Sequence, residues 1–471
     1  MTSERDLPAR RVVVVGGGIA GLAAAATVRR AAPDVDVVVL EASSSVGGKL
    51  ARAEVAGVSV DVGAESMLNR RPEAVALARD VGLGDRLVHP ATTSAGLWSR
   101  GRMRPMPRTL MGVPTDVRLL AESGVLSETG LARAVDEPAQ PATHLDGRDV
   151  SVGWLVGERF GEEVVDRLVE PLLGGVYAGH AREISARAAV PQVVALLDRE
   201  TSMLRAAAAA TAQTSDVPVF AGLVGGLTQL PEAVAAELDV RTSSTVRDLA
   251  RAPDGGWTLV VGSTRDADVV HADAVILATP AAATSRLLSG VAPDAALELG
   301  RLEYASMAIV TLAFRACDLP VTEGSGFLVP PVDGRTVKAS TYSFAKWDWV
   351  REAGAAEDGV QLMRCSIGRH REEVTLQRTD AELVELALDD LADAIGLSAR
   401  PVDAHVQRWG GALPQYAVGH LERVRSIRRS VAERGLAVCG AAYDGLGLPA
   451  CIASGQLAAT RVLSTLAPRG E

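Results

Sequence analysis

"VVVVGGGIAGLAAAATVRR" spans Val12 to Arg30. Four consecutive valines have the composition of a strand buried on both faces. Three glycines follow, and then an alanine-rich run of helical composition. Gly16, Gly18 and Gly21 set out G-x-G-x-x-G between that strand and that helix. A second strand-like run, "DVVVLEAS" (Asp36–Ser43), carries Glu41 about twenty residues beyond Gly21, the distance a dinucleotide-binding unit requires. Gly16 suits the tight turn and Gly18 lets a pyrophosphate approach the backbone. Gly21 lets the helix pack closely on the sheet. The helix N-terminus offers free N–H groups and a partial positive charge to phosphates. Glu41 is an acceptor for ribose hydroxyls and repels a ribose phosphate, so NAD and FAD fit better than a 2'-phosphorylated nicotinamide cofactor.

Two other readings of the stretch are weaker. Arg10 and Arg11 ahead of an uncharged run resemble a twin-arginine or secretory signal. The run is also nearly long enough to span a membrane. A glycine-rich centre and an uninterrupted continuation into a second strand favour the cradle over both.

The whole chain narrows the function classes. Its 471 residues exceed one compact core, so two or three domains are expected. Hydrophobic residues make up 48% and aromatics 3%, which leaves the core to alanine, valine and leucine. A net charge of −10 argues against nucleic acid. Cys317, Cys365, Cys439 and Cys451 show no C-x-x-C spacing, as in a reduced cytoplasmic protein. The scattered histidines predict no metal site. No transmembrane segment is expected beyond the first glycine-rich run.

Further along, "VAGVSVDVG" (55–63) alternates like a hairpin and leads into the loop "GAES" (63–66). Residues 90–215 read as mostly helical. In "WLVGERFGEEVVDRLVEPLL", Trp154, Leu155, Phe160, Val164, Val165, Leu168 and Leu172 fall at helical spacing. "AVDEPAQPATHLDGRD" (134–149) reads as an exposed polar loop. "WTLVVG", "ADAVILATP" and "MAIVTLAF" read as strands. Thr379 and Glu382 make a capping box for a helix that ends at Gly396. The last segment, from "GLAVCG" onward, reads as strand, glycine turn and helix. Strand–turn–helix units therefore stand at both ends of the chain.

Several stretches together resemble the superfamily of FAD-dependent amine oxidases, phytoene desaturases and protoporphyrinogen oxidases. They are the N-terminal cradle, "VVVLEASSSVGGK", "AVILATP" and the C-terminal glycine turn. "EPLLGGVYAGHAREISARAAVPQ" (170–192), "RWGGALPQYAVGH" (408–420) and "GAAYDGLGLPACIASG" (440–455) resemble the porphyrinogen oxidases in particular. His180 and Ala450 depart from that pattern, where acidic residues are common. The resemblance implies an α/β fold. A discontinuous Rossmann-type FAD-binding domain would comprise residues 1–66, 217–290 and 405–471. An α+β substrate domain would comprise 67–90, 186–216 and 291–404, with a mainly helical inserted subdomain at 91–185.

It implies non-covalent FAD. Gly16, Gly17, Gly18, Ile19, Ala20 and Gly21 would cradle the pyrophosphate, with Glu41 and Ala42 at the adenosine ribose and Val246 at the adenine. Gly63, Ala64, Glu65 and Ser66 would line the isoalloxazine, Trp409 would pack beside the flavin, and Gly48 and Lys49 would also contact the cofactor. Gly440, Leu446, Gly447 and Leu448 would bring the last helix to the flavin pyrimidine, where its N-terminus stabilises negative charge. Gly175, Leu328, Arg70, Arg71 and Lys338 would meet the macrocycle and its carboxylates. The implied reaction is stepwise two-electron oxidation of a porphyrinogen with molecular oxygen as acceptor, and no protein nucleophile is expected. The arginines Arg70, Arg71, Arg100, Arg102 and Arg104 favour coproporphyrinogen III over the less anionic protoporphyrinogen IX. A flavin amine oxidase or carotenoid desaturase would share only the general motifs. Cytoplasmic location, peripheral contact with the inner membrane face and transient contact with other haem-pathway enzymes complete these expectations.

Overall fold

The structure, a computed structural model, describes residues 10–212, 217–253 and 255–466. The valine run forms strand Arg11–Val15 at the centre of a five-stranded parallel sheet. In order across the sheet the strands are Asp239–Arg241, Asp36–Leu40, Arg11–Val15, Ala274–Leu277 and Leu436–Val438. Three distant regions of the chain thus build one sheet. Apart from the edge strand Asp239–Arg241, its strands are apolar along most of their length because both faces are covered. Val12 and Val14 face a core shared with helices Ile19–Ala31 and Leu448–Leu466. Val13 and Val15 face the opposite core, built from the antiparallel strands Val246–Arg251, Trp257–Gly262 and Ala267–Ala272 and from helix His420–Ala432. The two covering helices touch where a Cβ on Gly455 would meet the Ala20 carbonyl oxygen at 2.1 Å, so only glycine permits this approach.

A second, seven-stranded sheet runs in the order Asp403–Pro414, Tyr304–Arg315, Val360–Ile367, Val337–Tyr342, Gly326–Leu328, Gly96–Ser99 and Arg102–Pro105. It is antiparallel except where Gly326–Leu328 meets Gly96–Ser99. Helix Asp380–Ile395 packs on it through Leu383, Ala387 and Leu391. Its Thr379–Glu382 capping box and left-handed Gly396 stand where the sequence puts them.

Two local expectations need correction. Residues 96–105 are a hairpin in this sheet rather than part of a helical region. Arg100 and Gly101 both adopt positive φ (56° and 69°), the geometry of a tight two-residue hairpin turn. The polar segment 134–149 also buries a charge. Glu137 has no exposed surface and pairs with Arg159, which is itself buried. Glu137 also accepts from Ser202 Oγ at 2.7 Å and from the Met203 backbone N–H at 2.8 Å, so the pair ties the loop to the next helical layer.

That layer contains helices Val152–Phe160, Glu170–Tyr177 and Met203–Ala212, with a π-helical turn at Val165–Val169. The predicted apolar stripe supplies its core through Leu155, Phe160, Val164, Val165 and Leu168, whereas Leu172 is half-buried outside it and Trp154 is exposed. Among the described residues no helix is long and apolar enough to cross a membrane.

Candidate active site

The parallel sheet, the seven-stranded sheet and the last helix enclose one cavity of about 1040 Å³. It is lined from Gly16 and Glu41 at one end to Gly175 and Lys338 at the other. Ligand pockets usually span roughly 300–1,000 Å³, so this one has room for a large ligand.

At the first end the three motif glycines act differently. Gly16 adopts φ +112°, and a Cβ there would meet the Ala278 carbonyl oxygen at 2.8 Å. A Cβ on Gly21 would meet the Gly16 carbonyl oxygen at 2.0 Å, so this glycine serves helix-to-strand packing. A Cβ on Gly18 would meet nothing within 4 Å. Gly18 lines the cavity, so its bare Cα leaves space where a pyrophosphate can approach backbone N–H groups. Glu41 closes this end. Its Oε2 accepts from Gly17 N–H at 2.6 Å and its Oε1 from Ser43 N–H at 2.7 Å. These bonds fix the carboxylate at the strand end with acceptor capacity left for a diol. Ser244, Val246 and Arg247 line the adjacent wall.

The middle of the cavity is a junction between the two sheets. Trp409, on strand Asp403–Pro414, donates Nε1–H to the Val62 carbonyl at 3.0 Å. Its ring edge lies 3.2 Å from where a Cβ of Gly63 would stand, and that Cβ would also clash with the Lys49 carbonyl oxygen at 2.0 Å. Glycine at 63 is therefore required, and all four residues of the loop Gly63–Ser66 line the cavity.

Glu65 anchors that loop. Its two oxygens accept from Lys346 Nζ and Arg364 Nη1, each at 2.6 Å, while Arg364 Nη2 donates to the Gly63 carbonyl at 2.6 Å. Burial alone would raise the Glu65 carboxyl, but the two cations outweigh it and hold it down at about 2. Asp61, one turn of loop away, accepts from Leu227 N–H at 2.8 Å. There burial prevails over that hydrogen bond and the Arg364 charge, and the carboxyl is pushed up to about 6. Lys346 and Arg364 escape the sequence reading. The signal available for Arg364 is a single charge inside the apolar strand "VQLMRCSI".

The last helix starts beside the cavity. Gly447 C=O accepts the first helical bond, from Cys451 N–H at 3.0 Å, and Pro449 sits in the first turn where a missing N–H costs little. Leu446, Leu448 and Cys451 line the cavity, so the helix N-terminus opens on it.

Most of the expected site residues converge here. Gly16, Gly18, Ile19, Ala20, Glu41, Ala42, Gly48, Lys49, Gly63, Ala64, Glu65, Ser66, Val246, Trp409, Gly440, Leu446, Leu448, Gly175 and Lys338 all line the one cavity. Gly17, Gly21 and Gly447 support the wall from behind. Leu328 also stands behind it, its Cδ2 lying 3.9 Å from where a Gly175 Cβ would be.

The arginines do not converge. Arg71 stands at the N-cap position of helix Pro72–Asp80 without a side-chain capping bond and pairs with Glu73 at 2.6 Å, with 45% of its side chain exposed. Arg70 is exposed, Arg100 pairs with Glu163, and Arg104 donates to the Ser99 carbonyl. None of them lines the cavity, so their proximity to "GAES" in sequence does not make them cavity residues. Between the loop and Arg71 the chain forms strand Met67–Leu68, paired with Phe220–Ala221, before the helix begins at Pro72.

Comparison with known proteins matches this geometry. Residues 19–463 match the family profile of flavin containing amine oxidoreductases. The chain belongs to that family. It is a flavin-dependent oxidoreductase with FAD as its cofactor, the dinucleotide its glycine cradle is shaped to take. It is 38% identical to a coproporphyrinogen III oxidase of Mycobacterium tuberculosis, over 97% of this chain and 98% of the relative. It is 30% identical to the Bacillus subtilis coproporphyrinogen III oxidase, over 97% and 98%. A solved structure from Exiguobacterium sp. 255-15, assigned as a protoporphyrinogen oxidase, superposes with a TM-score of 0.85 at 30% identity, covering 98% of this chain and 99% of that one.

Proposed function

We propose that this chain is an oxygen-dependent oxidase that converts coproporphyrinogen III to coproporphyrin III and releases hydrogen peroxide in haem synthesis. The observation that carries this reading is full-length similarity to coproporphyrinogen III oxidases at 38% identity. A chloroplast protoporphyrinogen oxidase of Arabidopsis thaliana stands lower, at 28% over 93% of this chain. The arginines once expected to favour the more anionic substrate lie off the cavity and lend no support.

In this reading Gly16–Gly21 hold the pyrophosphate of FAD, Glu41 the ribose and the Val246 backbone the adenine. Gly63–Ser66, Lys49 and Trp409 flank the ring, and the helix starting at Leu448 faces its pyrimidine. Bound flavin supplies the two-electron acceptor, and molecular oxygen regenerates it. The protein contributes position. Glu65 fixes the loop, Trp409 fixes the wall, and the Gly175 backbone carbonyl would accept from pyrrole N–H groups. Transient contacts with neighbouring haem-pathway enzymes and a location at the inner membrane face belong to the same reading.

The test is oxidation of coproporphyrinogen III and protoporphyrinogen IX side by side, with porphyrin fluorescence and peroxide measured together. A higher kcat/KM for coproporphyrinogen III is expected. Preference for protoporphyrinogen IX, or no reaction with either, overturns the assignment.

A further inference from the structure

Lys338 has no place yet in this chemistry. It lies on strand Val337–Tyr342 with only 3% of its surface exposed, and it lines the cavity. Its Nζ donates to the Gly368 carbonyl at 3.0 Å and stands 4.0 Å from Met307 Sδ. Met307 pairs across the strands with Trp409, the residue that walls the Gly63 loop. The amine is therefore on the same stretch of wall as the loop and the tryptophan. Among the described residues no carboxylate lies within ion-pair distance of it.

An ammonium in such a place is poorly solvated and unpaired, whereas a neutral amine is at ease there and keeps its lone pair. Burial first, and then the nearby Arg369 charge, together lower the Lys338 pKa to about 7. The other charges around it do not reverse this. Asp390, on helix Asp380–Ile395, accepts from the Val337 N–H at 2.7 Å. Glu170 and Glu372 act on Arg369. The Cys365 thiol is pushed up to about 12 by burial and stays neutral.

We propose that Lys338 is the proton acceptor of the oxidation, taking a pyrrole N–H proton as the macrocycle loses a hydride. The proposal rests on the porphyrinogen reading above. In the first two-electron step a meso C–H bond breaks and its electron pair leaves with the hydrogen to oxidised flavin. The cation left on the macrocycle is shared with an adjacent pyrrole nitrogen and acidifies its N–H. That N–H bond breaks, its electron pair stays to form the new C=N bond, and the proton joins the Lys338 lone pair. The ammonium then returns the proton to solvent. The macrocycle has lost two electrons and two hydrogens.

An alternative role for Lys338, as a cation that anchors a propionate, has the opposite pH dependence. A base works when deprotonated, so its rate rises with pH through about 7. An anchoring cation works when protonated, so its contribution falls over the same range. The experiment is anaerobic single-turnover reduction by coproporphyrinogen III between pH 5.5 and 8.5. It compares the wild-type holoenzyme with Lys338→Met and Lys338→Arg, and coproporphyrin III affinity is measured separately by fluorescence. FAD content and melting temperature show that each variant is folded.

The wild-type rate should rise with pH to a plateau. Lys338→Met should lose at least about 100-fold in rate together with the pH dependence. Its product affinity should stay within about threefold of wild type, the scale of a contact worth less than about 1 kcal/mol. Lys338→Arg should be as slow as Lys338→Met, because a guanidinium stays protonated. A wild-type rate that falls with pH, rescue by arginine, loss of product affinity in Lys338→Met, or an undiminished rate in that variant each overturns the proposal. If the wild-type protein oxidises no porphyrinogen at any pH, the functional reading fails first and this role falls with it.

Discussion

Two carboxylates line the same cavity and are held in opposite ways. Glu41 is fixed by backbone N–H groups of Gly17 and Ser43, all within one local strand–helix–strand unit. Glu65 is fixed by Lys346 and Arg364, which lie 281 and 299 residues away along the chain. The glycine cradle with Glu41 is a local device within residues 11–43, to which Ser244, Val246 and Arg247 add the adjacent wall. The ring end is assembled from the second sheet and exists only when that sheet has docked. Local devices are readable as spacing, while assembled ones depend on tertiary packing.

The contrast can be broken most severely at Gly21. A Cβ there meets the Gly16 carbonyl oxygen at 2.0 Å, so Gly21→Val forces the first helix off its strand. The variant should yield no FAD-loaded protein, checked by flavin absorbance after purification. Normal loading would show that this helix-to-strand approach is dispensable.

Glu65→Ala comes next. It leaves two partly buried cations, Lys346 and Arg364, without their shared anion. Removing one partner of such a group costs about 3–5 kcal/mol when fully buried. The residual exposure of these side chains puts the expected loss toward the lower figure in urea denaturation. The pH dependence has a definite sign. Glu65 is held at about 2 against an ordinary 4.5, so its stabilisation is complete above about pH 5 and lost as pH falls toward 2. Asp61 runs the other way. Held at about 6, it weakens the fold as pH rises from about 4 to 6, and Asp61→Asn should remove that component.

At the local end, Glu41→Ala should spare the fold and weaken FAD. A charged hydrogen bond contributes about 1.5–3 kcal/mol, so FAD affinity should fall about 10- to 100-fold. Titration of the apoprotein with FAD checks this. Unchanged affinity would leave Glu41 as a brace for Gly17 alone.

The smallest effect is expected at Arg71, which pairs with Glu73 on the surface. Exposed pairs contribute about 0.2–1 kcal/mol, so Arg71→Ala should change kcat/KM by less than about fivefold. A loss of 50-fold would mean that the substrate reaches out of the cavity to this helix.

The same distinction explains how much could be read from the sequence. The valine run, the glycine spacing, the capping box at Thr379 and the final strand–turn–helix are short-range patterns, and each appears as a discrete element. The hairpin at 96–105 was hidden because "GRMRP" (101–105) carries little alternation and its turn depends on positive φ at Arg100. Glu137 looked like loop polarity because its partner Arg159 lies on another element. Arg70 and Arg71 follow "GAES" closely in sequence but do not line the cavity, because strand Met67–Leu68, paired with Phe220–Ala221, stands between them and the loop. Arg364 and Lys346 had no local pattern at all. Their role is defined by Glu65, and only the docking of two sheets brings the three together.

The most direct test of the whole reading is anaerobic mixing of the FAD-loaded protein with coproporphyrinogen III, followed at the flavin absorbance band. Rapid bleaching, accompanied by porphyrin formation and reversed on admitting air, is the expected result. A flavin that stays oxidised with coproporphyrinogen III but is bleached by a simple alkylamine would contradict it and return the chain to the amine-oxidising branch of its family.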